Sequence, residues 1–258
     1  IPATIVMPEA TPENKVKAVK ALGGNVVLHG KNFDEAAEQS KHLIQLGEEY
    51  EGTTYIHPFD DMNVITGQAT VALEIIQQSP DVTHIFVPVG GGGLLAGVIK
   101  LIREIKPEVK VIGVEDSTSP AMTKSLELSR IVMLDKVGGF ADGVAVRRVG
   151  ELTFEEARNV ERMIVVEEDE VCMAAIDYFT EQRRGLEPAG ALAIAGARKY
   201  SKDHGFKADD VVVLINSGAN VDPVRFMHMM NRAEKVSDRN MLLRIAIPEE
   251  PGALKTLC

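Results

Sequence analysis

Short runs of Val and Ile alternate with longer stretches of helical periodicity along nearly the whole chain. ATIVMP precedes a helical pattern over 13–22, with Val16, Val19 and Leu22 on one face, and Gly23-Gly24 ends it. NVVLHG then reads as a strand, 33–49 as a helix, and TTYIHPF as a further strand closed by Pro58. A helix over 67–77, the strand THIFVPV, a helix over 94–105 and the strand VKVIGVE follow. MIVVEE, helices over 170–182 and 188–200, and DVVVLIN continue the alternation. Strands so uniformly apolar are buried on both faces, and the intervening helices supply the cover. The predicted class is α/β: a parallel twisted sheet with helices on both faces.

Other features bound the function. A charge of −10 with no basic cluster beyond Arg147-Arg148 and Arg183-Arg184 argues against nucleic acid or an anionic membrane as partner. No apolar run approaches the roughly 18 residues that span a bilayer. Two distant cysteines, Cys172 and Cys258, suit a reducing compartment, and the scattered histidines predict no metal site. The chain opens at Ile1 inside an apparent strand and stops at Cys258 as a new apolar pattern begins, so a segment of a longer protein is expected. After the polar stretch RFMHMMNRAEKVSDRN comes MLLRIAIPEEPGALKTLC, a strand over 242–247, a turn and the start of a helix. That restart predicts a linker near 232–240 leading into a second domain.

The sharpest local signal is FVPVGGGGLLAGV, in which Gly90, Gly91, Gly92 and Gly93 separate a strand from a helix. Bare N–H groups at a helix N-terminus beyond the carboxyl end of a parallel strand form a site for a phosphate dianion. A close-packed turn is the plainer explanation, although such a turn needs one or two glycines. The P-loop is excluded, because no Lys-Ser or Lys-Thr follows. A dinucleotide fingerprint is not: Gly91-x-Gly93-x-x-Ala96 fits, with Glu115 ending the next strand where a ribose-binding acid would stand. LINSGAN is a second strand ending on a small polar loop, where Ser217 is also a candidate helix cap. In GLEPAGA, Glu187 precedes Pro188 at a helix start, which dipole complementarity alone would explain.

Taken together, VPVGGGGL, VGGFADGVAV, EPAGALA and SGAN, in this order, resemble the threonine dehydratases of the fold-type II pyridoxal-phosphate superfamily. MPEATPENK, GGNVVLHGKNFDEA and HPFDDMNVITGQAT extend the resemblance over essentially the whole chain, and LLRIAIPEEPGAL is similar to the opening of the ACT-like domain of the biosynthetic branch. The resemblance implies a tryptophan-synthase-β-like fold with pyridoxal 5′-phosphate as cofactor. Residues 1–60 would be the latter part of a small mobile domain, 61–235 the large cofactor-binding domain, and 236–258 a linker and the start of the regulatory domain. It implies deamination of L-threonine to 2-oxobutanoate and ammonia, for isoleucine biosynthesis. Gly90, Gly91, Gly92, Gly93 and Leu94 would wrap the cofactor's 5′-phosphate, and Ser217 would bond its pyridine nitrogen. A neutral hydroxyl there makes the ring a weaker electron sink than a carboxylate would, which favours prompt β-elimination. Glu187 would be the acid near the ring. An isoleucine or valine effector, a homotetramer and a cytoplasmic or organellar location are the family's habits.

Two family motifs are missing. None of the lysines stands in an S-F-K-x-R-G-A-type setting, where the family's Schiff-base lysine lies, and no S-S-G-N-H-A-Q-G-type loop is present. Without that lysine no base takes the α-proton, so this chain alone is expected to be inactive. Ala69 stands where many relatives have glycine, and Ala121 follows Glu115 where serine-racemase-like relatives carry a metal-binding Asp, so no such metal is expected. The competing assignments are a serine dehydratase, serine racemase or threonine synthase relative, a catalytically inactive remnant, and an NAD enzyme.

Overall fold

The computed structural model of the protein describes residues 1–31, 33–46 and 50–237. The first unit is a parallel pair, β1 (Thr4–Met7) and β2 (Asn25–Leu28), in register from Thr4–Asn25 to Met7–Leu28. Helix α1 (Glu13–Ala21) makes the crossover, and α2 (Phe33–Leu46) follows. The stretch 53–59, predicted as a strand, is not one. Its alternating residues pack on each other instead: Tyr55 meets His57 edge-on and His57 meets Phe59 at 4.6 Å between centroids. Imidazole Nδ1 of His57 then accepts the N–H groups of Phe59 (3.3 Å) and Asp60 (2.8 Å), turning the backbone out of any strand ladder.

The main sheet is parallel, in the order β5–β4–β3–β6, with β3 (His84–Pro88), β4 (Lys110–Asp116), β5 (Arg162–Val166) and β6 (Val212–Leu214). Successive side chains go to opposite faces. Phe86, Ile112 and Val114 join one core with α7 (Glu168–Gln182) and α8 (Pro188–His204), and Ile85, Val87 and Val111 join the other with α4 (Gly93–Ile105). Helix α4 buries Leu95, Val98, Ile99 and Ile102, at about 1.5–3 kcal/mol per side chain. It meets α3 (Met62–Gln78) closely enough that a Cβ on Gly97 would lie 2.7 Å from the Ala69 nitrogen. Helix α3 begins five residues before its predicted start because Asp61 caps it, accepting from the N–H groups of Asn63 and Val64.

Three helices were not anticipated. Helix α5 (Ala121–Glu127) and α6 (Glu151–Ala157) are each only seven residues long. Helix α9 (Pro223–Val236), capped by Asp222, occupies the start of the predicted linker. Its residues Met229 and Ala233 are buried, so the polar stretch is amphipathic rather than extended, and any linker begins after Val236. The strand expected over 242–247 lies outside the described residues. No described helix is long and apolar enough to cross a membrane.

Candidate functional site

From β3 the chain steps outward to β4 and β5, then returns to place β6 on the other side of β3. The winding direction therefore reverses between β3 and β6, and the crevice beyond their carboxyl ends is where such sheets bind ligands. The two loops singled out in the sequence flank this crevice: Gly90–Gly93 follows β3, and the segment containing Ser217 follows β6.

The glycines are held on several sides. A Cβ on Gly91 would stand 2.4 Å from ring atoms of Phe59, and one on Gly93 2.9 Å from the Phe59 Cβ. Gly92 is left-handed at φ 97° and lies against Thr153 and Met122, while Gly90 abuts the Val144 backbone. The Gly91 carbonyl accepts from Thr153 Oγ1 (2.7 Å) and the Gly150 N–H (3.3 Å). Close packing thus accounts for the missing side chains. It does not account for the donors: among the described residues, no backbone N–H from Gly90 to Leu95 donates to a protein acceptor. Gly91, Gly92, Gly93 and Leu95 are buried, and a buried donor left unserved costs about 1–3 kcal/mol. Such donors are available to an acceptor, and the α4 N-terminus favours an anion.

Across the crevice, Gly218 is pressed onto the start of α8. Its carbonyl accepts from the Glu187 N–H at 3.1 Å and would lie 2.1 Å from a Cβ on Gly190. Ser217 is exposed and caps no helix, since α9 begins six residues later on Asp222. Glu187 occupies the N-cap position of α8 without a side-chain capping bond, its carboxylate lying against Gly218. Neither the Ser217 hydroxyl nor the Glu187 carboxylate has a hydrogen-bond partner among the described residues. A 3₁₀ turn at Asp142–Val144 bridges the two sides, because Gly143 adjoins Glu187 and Val144 adjoins Gly90. Gly90, Gly91, Gly92, Gly93, Leu94, Ser217 and Glu187 thus border one region.

Glu115, the residue a dinucleotide would need, is turned inward. Fully buried, it accepts from the N–H groups of Met122 and Thr123 (2.8 Å each) and from Thr123 Oγ1 (2.6 Å), capping α5. Burial pushes its pKa up to about 7 against the pull of those three donors. Enclosed in the core, this carboxylate does not face a ribose. Cys172 is also buried, its thiol pushed up to about 12 by desolvation, and offers no nucleophile.

The sequence reading missed His57, Phe59 and Asp60. Phe59 lines the glycine loop, while Asp60 accepts the N–H groups of Glu151 and Leu152 (2.9 Å each) and Thr153 (3.3 Å), capping α6 from across the chain. Thr153, so placed, holds the Gly91 carbonyl. The motif HPFDD was visible, but nothing in it says which distant helix its second-last residue will cap.

These features match a known family. The model of the "pyridoxal-phosphate dependent enzyme" family matches residues 1–218. The chain belongs to this family. A biosynthetic L-threonine dehydratase of Pasteurella multocida is 43% identical over 257 residues, covering 99% of this chain and 49% of that protein. A chloroplastic biosynthetic threonine dehydratase of Arabidopsis thaliana is 46% identical over 258 residues, covering 99% of this chain and 43% of that protein. The chain therefore spans about half the length of the curated relatives it matches. Among solved structures, the processed form of threonine deaminase isoform 2 from Solanum lycopersicum superposes with a TM-score of 0.82 at 44% identity, covering 90% of this chain and 66% of that one. Serine racemase from Dictyostelium discoideum gives a TM-score of 0.74 at 31% identity, covering 86% and 70%. As a member of the family the chain is built for pyridoxal phosphate, and the crevice fits that group: a row of unserved N–H donors for a phosphate and a free hydroxyl opposite.

Proposed function

We propose that the complete protein deaminates L-threonine to 2-oxobutanoate and ammonia, and that this chain supplies the cofactor's phosphate cradle and ring contacts. The identity of 42–46% to biosynthetic threonine dehydratases over nearly all of the chain supports this substrate over L-serine, since the serine racemase likeness is weaker. When bound, the cofactor draws electrons away from the amino acid's Cα. Gly90 to Leu94 bind the phosphate through backbone N–H groups, and the α4 dipole assists. Ser217 bonds the pyridine nitrogen without fixing a proton on it. Glu187 places a carboxylate beside Ser217 and Gly218 on the ring side of the crevice. None of the lysines here has the family's S-F-K-type setting, so residues 1–258 alone are proposed not to turn over.

The unserved donor row at Gly90–Leu95 carries this reading, and a keto-acid assay on the complete protein tests it. With pyridoxal phosphate present, L-threonine should yield 2-oxobutanoate faster than L-serine yields pyruvate. Faster pyruvate would move the assignment to a serine dehydratase, and no keto acid from either would leave an inactive relative.

A further inference from the structure

Residues 137–146 form a strap between the two sides of the crevice, with the 3₁₀ turn at Asp142–Val144 as its one regular element. Its inner edge touches both candidate binding features. The Val144 Cα lies 2.9 Å from where a Cβ on Gly90 would stand, and Gly143 sits against Ala189 and Glu187. Buried Ala141 and Val144 anchor the strap from inside, while its carbonyls at 139 and 140 are held from outside.

On the outside, one guanidinium does so. Nη2 of Arg225 donates to the carbonyl of Gly139 at 2.5 Å and to that of Phe140, and Nη1 lies 3.1 Å from Asp142 Oδ1. The other Asp142 oxygen meets Lys15 Nζ at 3.0 Å. Arg225 is itself fixed: it stands in the first turn of α9, its N–H bonded to the capping Asp222. Helix α9 is pinned by buried Met229 and Ala233 and by Phe226 against Phe179. A planar guanidinium spreads its donors over separate nitrogens and reaches two carbonyls and a carboxylate at different points, whereas an ammonium's three donors radiate from one nitrogen.

We infer that Arg225 is a positioning residue for the cofactor site: by fastening the strap's carbonyls and Asp142 to α9, it keeps Val144 against Gly90 and Gly143 against Glu187. This rests on the reading that the glycine loop takes the cofactor's phosphate. The residue touches no reacting group and acts through the strap.

The test uses the complete protein and two readouts: the dissociation constant for pyridoxal phosphate, from the cofactor's fluorescence, and amide hydrogen exchange over 137–146. Arg225→Gln should weaken cofactor binding by about tenfold or more, as loss of charge-assisted bonds converts to affinity, and should speed exchange in the strap. Arg225→Lys, keeping the charge beside Asp142 but not both carbonyl bonds, should fall between. Arg198→Gln, which removes an exposed pair with Asp177 on α7 and α8, should change neither readout. Strap exchange and affinity within twofold of the parent in both Arg225 variants would overturn the inference. Should Arg225→Gln fail to fold, Arg225→Lys decides alone by the same two criteria. If the unaltered protein binds no pyridoxal phosphate, the cofactor reading falls and this inference with it. If it binds and the Arg225 variants match it, only this inference falls.

Discussion

A methyl group on Gly91 would lie 2.4 Å from the Phe59 ring, and one on Gly92 would lie 2.6 Å from Met122 Cε at a backbone φ of 97°. Gly92→Ala therefore combines left-handed strain with overpacking, and should lower stability by roughly 2–4 kcal/mol, read as a shift in urea midpoint. Glu115 offers a test that depends on pH. Its folded pKa of about 7 stands above the ordinary value of 4.5, so the folded state binds the extra proton between them. Its contribution is fully present below 4.5 and is lost as pH rises through about 7. Unfolding of the parent and of Glu115→Gln, followed from pH 5 to 8, should show the parent alone losing stability over that window from this group. Parallel profiles would place the Glu115 pKa near its ordinary value.

At the scale of elements, two adjacent carboxylates do different work. Asp61 caps the helix that follows it, whereas Asp60 caps α6 and, through Thr153, fixes the Gly91 carbonyl. Replacing either with Ala should cost about 1–2 kcal/mol. Only Asp60→Ala should also weaken pyridoxal phosphate binding; equal affinities in the two variants would disconnect α6 from the glycine loop. His57 shapes the same turn as an acceptor, and burial lowers its pKa below 6.5. Its neutral form is favoured in the fold, so its stabilisation is complete above 6.5 and declines as pH falls below that value. His57→Gln should remove this decline from the acid side of the stability profile. The strands of the main sheet were legible because burial on both faces leaves a nearly unbroken apolar run, as in IFVP after the buried His84. TTYIHPF misled because alternating aromatics stack along one segment as readily as across two strands. Helix α6 was illegible because the carboxylate that starts it is 91 residues away. The amphipathic face of α9 was hidden among charged residues, only Met229 and Ala233 being buried.

Across the whole molecule, the order of four strands decides where chemistry belongs. The reversal between β3 and β6 brings Gly90–Gly93 and Ser217, more than a hundred residues apart in sequence, to neighbouring strand ends. Both segments were legible as ligand-binding candidates from their residue types, but their adjacency depends on strand order, which no local pattern encodes. The resemblance named the cofactor, and the geometry supports the place proposed for its phosphate: donors without acceptors among the described residues, on a loop whose other faces are filled by protein. A titration of the complete protein with pyridoxal 5′-phosphate, beside its Gly91→Asp variant and with inorganic phosphate as competitor, reads this directly. The account predicts saturable binding, competition by phosphate, and loss of binding in the variant, whose side chain would be driven into the Phe59 ring and push the loop out of place. A Gly91→Asp protein that stays folded and binds pyridoxal phosphate as tightly as its parent would contradict it.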